Sequence, residues 1–137
     1  MNIVLLHNGS DLGFSLYGLT KKNQCPVWNF VSGLEEKDQK QVFTLFNLIL
    51  EKGLPIGEER FRNLGDKIYE LKTRGGVRIL AFFGSSSLHK SLVLTHGFYK
   101  PHTKILKREK EKALKLYKEY LKRFDSKKKS KDRGAKP

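Results

Sequence analysis

Apolar residues recur along this chain in two rhythms, and each predicts a different kind of element. Between Lys67 and Lys104, β-branched and aromatic residues crowd three short runs, Lys67–Thr73, Val77–Phe83 and Ser91–Gly97, with Gly or Ser clusters between them. This composition and punctuation predict three strands. Arg74-Gly75-Gly76 supplies a tight hairpin turn, because glycine accepts the positive φ that such a turn needs, and Gly84–Ser87 begins a looser one. If the strands form an antiparallel meander, alternation sends Arg78, Leu80 and Phe82 to one face and Val77, Ile79, Ala81 and Phe83 to the other.

The second rhythm is helical. Val42, Leu45, Phe46 and Ile49 fall on one stripe at spacings of three and four. Pro26–Val31 leads into that helix, Ser32-Gly33-Leu34-Glu35 has the spacing of a capping box, and Gly53 is placed to end it after Lys52. A further helix is predicted over Ile105–Phe124, where Leu106, Ala113, Leu114, Tyr117, Leu121 and Phe124 make the apolar stripe. Elsewhere Ile3–Leu6 reads as a short strand and Asn8–Asp11 as a turn. Leu54–Gly57 breaks the pattern, and Glu58–Leu64 reads as a short helical turn. The stretch up to Gln24 carries no pattern that assigns it. The fold class expected is α+β: a small antiparallel sheet with an N-terminal and a C-terminal helix packed on it. Residues 1–124 form one domain, and the Lys/Ser-rich residues 125–137 a basic disordered tail.

Composition agrees with one folded unit. A chain of 137 residues with 38% hydrophobic and 11% aromatic content supports a single core and not two. The lone cysteine, Cys25, has no partner for an intramolecular disulfide, which points to a reducing cytoplasm. The apolar run Ile3–Leu6 is shorter than a signal core, and no stretch approaches the roughly 20 apolar residues of a membrane span, so no membrane association is expected.

Charge changes the picture more. The net charge of +14 is unevenly placed: residues 1–99 carry 12 Lys/Arg against 9 Asp/Glu, residues 100–124 carry 10 against 3, and residues 125–137 carry 6 against 2. Crowding cations in a folded segment costs stability through self-repulsion unless an anionic partner relieves it. Nucleic acid is the leading partner. Lys72 and Arg74 at the first hairpin, Arg78 on the second strand, and Tyr99, Lys100, His102 and Lys104 after the third form a set rich in cations, imidazole and phenol. No matching carboxylates accompany it, which suits a phosphate backbone. One cysteine and four scattered histidines give no metal-ligand spacing, there is no phosphate-binding glycine loop, and no metal or cofactor is expected.

The order of the segments carries a resemblance. CPVWNFV, then IYELKTRGGVRILAFF, then LVLTHGFYKPHTK followed by REKEKAL resembles the RelE/HigB superfamily of bacterial toxins, in particular its phage-derived Gp49-like branch. The similarity covers Cys25–Phe124. It implies a RelE-like fold, a cognate antitoxin of helix-turn-helix type as partner, and metal-independent endoribonuclease activity on messenger RNA in the ribosomal A site. Three positions depart from the branch: Lys72 stands where arginine is usual, Val77 where a tyrosine commonly precedes the arginine matched by Arg78, and Pro101-His102 where Lys-Thr is usual.

Cleaving RNA without a metal requires deprotonation of the ribose 2′-hydroxyl, protonation of the leaving 5′-oxygen and stabilisation of the phosphorane-like transition state. Arg78, planar and always charged, suits the last task, with Arg74 as a second clamp. His102 suits acid or base, since an imidazole titrates near about 6.5. Lys72 or Lys100 acts as base only if neighbouring cations lower a pKa that starts near about 10.4. The catalytic candidates are therefore Lys72, Arg78, Lys100 and His102. Arg74, His96, Tyr99, Lys104, Lys107 and Arg108 are candidate RNA contacts, with Tyr99 stacking on a base or donating its hydroxyl. Competing structural roles exist: Arg78 pairing with Glu70 across the hairpin, and His96 serving packing and hydrogen bonding at a strand end. Two other functions share these features, a ParE-type gyrase poison of the same fold and a non-toxic basic nucleic-acid-binding module.

Overall fold

The computed structural model describes residues 1–85, 88–100 and 103–134, with side chains described as far as Phe124. Two strands come first, β1 (Asn2–His7) and β2 (Ser15–Thr20). Two helices follow, α1 (Pro26–Ser32) and α2 (Glu36–Lys52). Then come β3 (Phe61–Gly65), β4 (Ile68–Lys72), β5 (Val77–Phe83), β6 (Ser91–Tyr99) and the long α3 (Thr103–Gly134). The strands form one sheet in the order β1-β2-β6-β5-β4-β3. All neighbours are antiparallel except β2 and β6, which run parallel with Ser15 opposite Ser91 and Gly18 opposite Leu94. The sheet is thus six-stranded and mixed, and strands precede the helices, which corrects the expected antiparallel sheet with a helix at its N-terminal end.

The three meander strands stand where alternation in the sequence put them. Their central members are covered on both faces, so β5 and β6 read as nearly continuous apolar runs. Val77, Ile79, Ala81, Leu92 and Leu94 pack with Val42, Leu45, Phe46 and Ile49 of α2 and with Val27 and Val31 of α1. On the other face Leu80, Phe82 and Val93 pack with Ala113 and Tyr120 of α3. Each fully buried side chain of this size contributes roughly 1.5–3 kcal/mol, so both helical layers are held chiefly by their apolar stripes.

Two local expectations are corrected. No capping box forms: the chain makes two helices here, with Gly33 closing α1 and Glu35 preceding α2 without a side-chain cap. The carbonyls of Val31 and Ser32 instead accept from Gln39 Nε2, at 2.9 and 3.2 Å. That amide meets the orphan acceptors every helix end presents. Glu58–Leu64 is not helical, because after a turn the chain enters β3, whose Phe61 stacks on Tyr69 of β4 with ring centroids 4.9 Å apart. The unassigned stretch before Gln24 contains β2. The helical assignment of α3 extends past Phe124 into the stretch expected as a tail. No helix among the described residues is long and apolar enough to cross a membrane.

Candidate nucleic-acid interface

The β4–β5 turn is braced from three directions. Thr73 N–H donates to Val77 O at 3.0 Å, and Val77 N–H donates to Thr73 Oγ1 at 3.0 Å. Gly75 N–H reaches across to Gln41 Oε1 of α2 at 2.8 Å, and Gly76 adopts a φ of 99° that a side chain would resist. The decisive contact comes from the end of β6: Lys100 N–H donates to Gly76 O at 2.6 Å. Arg74 on the turn and Lys100 after the strand are thereby held at one end of the sheet, both exposed.

Strand register then sorts the other candidates between the two faces. Lys72 pairs with Arg78 across the β4–β5 ladder, and Arg78 pairs with Phe98, whereas Val77 pairs with Tyr99. Tyr99 therefore lies on the α1/α2 face. Its hydroxyl donates to Asp38 Oδ2 at 2.9 Å, and its ring meets Phe30 edge-on at 6.0 Å. It remains 49% exposed. The hydrogen bond to Asp38 raises its pKa above the ordinary 10.0, so at neutral pH it is a hydroxyl donor. Arg78 lies on the opposite face at the same end.

Arg78 is largely enclosed, its side chain 12% exposed. Its Nη1 donates to Thr73 O at 3.2 Å and Val77 O at 3.1 Å, and its Nε stands 3.8 Å from Glu70 Oε2. The cross-hairpin ion pair with Glu70 is thus present. Glu70 is itself only 1% exposed and accepts from Arg62 Nη2 at 2.9 Å, so one buried carboxylate serves two arginines. Arg62 Nε is buried without a partner among the described residues. A buried carboxylate that orients a guanidinium leaves the cation in place while restricting its direction. Arg62 is not among the residues the sequence singles out, because its segment reads as a helical turn and lies instead in β3.

His96 is held elsewhere. It is 5% exposed, with Nδ1 lying 2.9 Å from Thr95 Oγ1 and Nε2 lying 2.6 Å from Glu109 Oε2 of α3. Burial lowers its pKa below 6.5, with Lys112 adding to the effect and the Glu109 hydrogen bond opposing it. The structural role for His96 is therefore the one its surroundings provide, joining β6 to α3. Lys104, Lys107 and Arg108 lie exposed on the first turns of α3, where their charges face solvent. His102 lies outside the described residues. Among the described residues no three His, Cys, Asp or Glu side chains gather as a metal-ligand set.

The arrangement offers the exposed cations Arg74 and Lys100 and the half-exposed ring of Tyr99 at one end of the sheet, with Arg78 enclosed on the opposite face at that end. Exposed cations near an aromatic ring suit a flexible anionic polymer carrying stackable groups. The chain matches the family model described as Phage derived protein Gp49-like (DUF891) over residues 29–118, from within α1 through α2 and β3–β6 to the first half of α3. It matches no curated protein and no solved structure. By that match across most of its length, the chain belongs to the phage-derived Gp49-like family, which is associated with the toxins of toxin–antitoxin pairs.

Proposed function

We propose that the protein is the toxin of a toxin–antitoxin pair and acts as a metal-independent endoribonuclease on messenger RNA in the ribosomal A site, restrained by a cognate antitoxin. The observation that carries this reading is the 2.6 Å bond from Lys100 N–H to Gly76 O, which keeps the cations of the hairpin beside those that follow β6. Arg78, oriented by Glu70, and Arg74 neutralise charge developing on the phosphorane-like transition state. Lys72, Lys100 and His102 are the candidates for moving protons to and from the 2′-hydroxyl and the 5′-oxygen. Tyr99 offers a ring face to a base, and Lys104, Lys107 and Arg108 hold the flanking backbone. A RelE-like architecture and a cytoplasmic site of action accompany this reading.

The test is induction of the chain in a bacterial host beside an Arg78→Ala, Lys100→Ala, His102→Ala variant, with primer extension on abundant messages. Growth arrest with new in-frame cuts ending in 2′,3′-cyclic phosphate, absent in the variant, is the expected result. Arrest with uncut messages and altered DNA supercoiling would replace the nuclease by a gyrase poison. RNA binding without arrest or cuts would reduce the protein to a binding module.

A further inference from the structure

A groove of about 880 Å³ runs between α2 and the turns at the ends of β3 and β4. One wall is a single row of α2, Lys40, Thr44, Leu48 and Lys52, spaced four residues apart so that they line one side of the helix. At 1.5 Å per residue this row extends for about 18 Å, the length of a helix of about 12 residues. Leu45 and Leu48 give the groove an apolar strip. The opposite wall brings Arg60, Lys72 and Arg74. Cations thus stand at both ends of the α2 row and along the facing wall.

We propose that this groove binds an acidic, amphipathic peptide segment of a partner protein, apolar side chains on the Leu45–Leu48 strip and carboxylates on the surrounding lysines and arginines. Two features favour a peptide over nucleic acid. Glu51 and Glu59 also line the groove, and they would repel a continuous run of phosphates, whereas a peptide can place its carboxylates only where cations stand. An apolar strip along a helix also matches the contact that an amphipathic helix makes in a groove. Arg74 belongs both to this groove and to the proposed RNA contact, so occupation would withdraw that cation from RNA, whereas Lys72 borders the groove but shares the face of its register partner Arg78. Docking itself does not depend on the nuclease reading; only that consequence does.

The test uses fluorescence anisotropy with the full chain and two labelled probes of about 16 residues, a peptide with leucines at helical spacing and glutamates between them, and a single-stranded RNA. The peptide should bind saturably. Lys40→Glu with Lys52→Glu should weaken it by about tenfold or more, Leu48→Ser should weaken it as well, and neither variant should change RNA affinity or message cleavage. A peptide with its leucines replaced by serine should bind more weakly. Absence of saturable peptide binding, or binding unchanged in both variants, overturns the proposal. Parallel loss of RNA affinity would assign the groove to nucleic acid instead. Peptide binding by a protein that cuts no message would uphold the groove and remove the nuclease reading, so the two failures are distinct.

Discussion

Replacing Glu70 by Gln removes one charge and almost no volume, which isolates the electrostatic role of the buried carboxylate. Two arginines depend on it, Arg62 Nη2 at 2.9 Å and Arg78 Nε at 3.8 Å. At an effective dielectric of about 20 each pair has a gross attraction of about 4–6 kcal/mol. Desolvation offsets most of it, and loss of one partner from a buried pair costs about 3–5 kcal/mol in net terms. Arg62 is 43% exposed and recovers part of its hydration, while Arg78 keeps the carbonyls of Thr73 and Val77. The expected loss is therefore about 2–3 kcal/mol, a fall in Tm of roughly 6–12 °C for a chain of this size. Urea denaturation at neutral pH measures it. A double-mutant cycle with Arg62→Met should give a coupling of about 1–2 kcal/mol, because the double variant no longer strands Arg62. A loss below about 0.5 kcal/mol, or no coupling, would refute the idea that this carboxylate holds the two guanidinium groups.

Three further outcomes follow from single features. Because burial lowers the pKa of His96 below 6.5, the unfolded chain takes up this proton more readily than the folded one. Its contribution is complete above about pH 6.5 and is lost as the pH falls, by at most about 1.4 kcal/mol per pH unit; urea titrations at descending pH should show a shallower decline in His96→Gln, and equal slopes would refute this. A Cβ added at Gly13 would collide with the carbonyl of Leu50, where the loop is bonded to the end of α2 through Phe14 N–H to Ile49 O at 3.0 Å. Gly13→Ala should therefore cost about 2 kcal/mol or more, and an unchanged Tm would contradict the packing. Lys107→Ala with Arg108→Ala, both on exposed turns of α3, should leave Tm unchanged and reduce the slope of log K for single-stranded RNA against log salt by about 1.4; an unchanged slope would remove these residues from the interface.

Much of this was legible because the relevant signals are local. The alternation in Val77–Phe83 set which residues face which helix layer, and the stripe of Val42, Leu45, Phe46 and Ile49 set the buried face of α2. The Arg74-Gly75-Gly76 turn and the charge excess after Tyr99 are equally properties of short segments. So is the order of motifs behind the resemblance to the Gp49-like branch, which the family match bears out. Glu70 was visible as a possible partner of Arg78, since alternate residues of β4 share a face.

The long-range relations needed the tertiary structure. A parallel pairing of β2 with β6 joins segments more than seventy residues apart and leaves no periodic trace in Ser15–Thr20. Arg62 became a partner of Glu70 only when Glu58–Leu64 proved to lead into β3, and Tyr120 entered the core through its contact with Phe82. Register parted Tyr99 from Arg78, and the packing of α3 took His96 to Glu109. The sequence by itself determined which residues are apolar, which are charged and where the chain turns, because these depend on side chains and their near neighbours. Which cations share a surface, and which face of the sheet each side chain occupies, was decided by hydrogen-bond register and helix packing between distant segments.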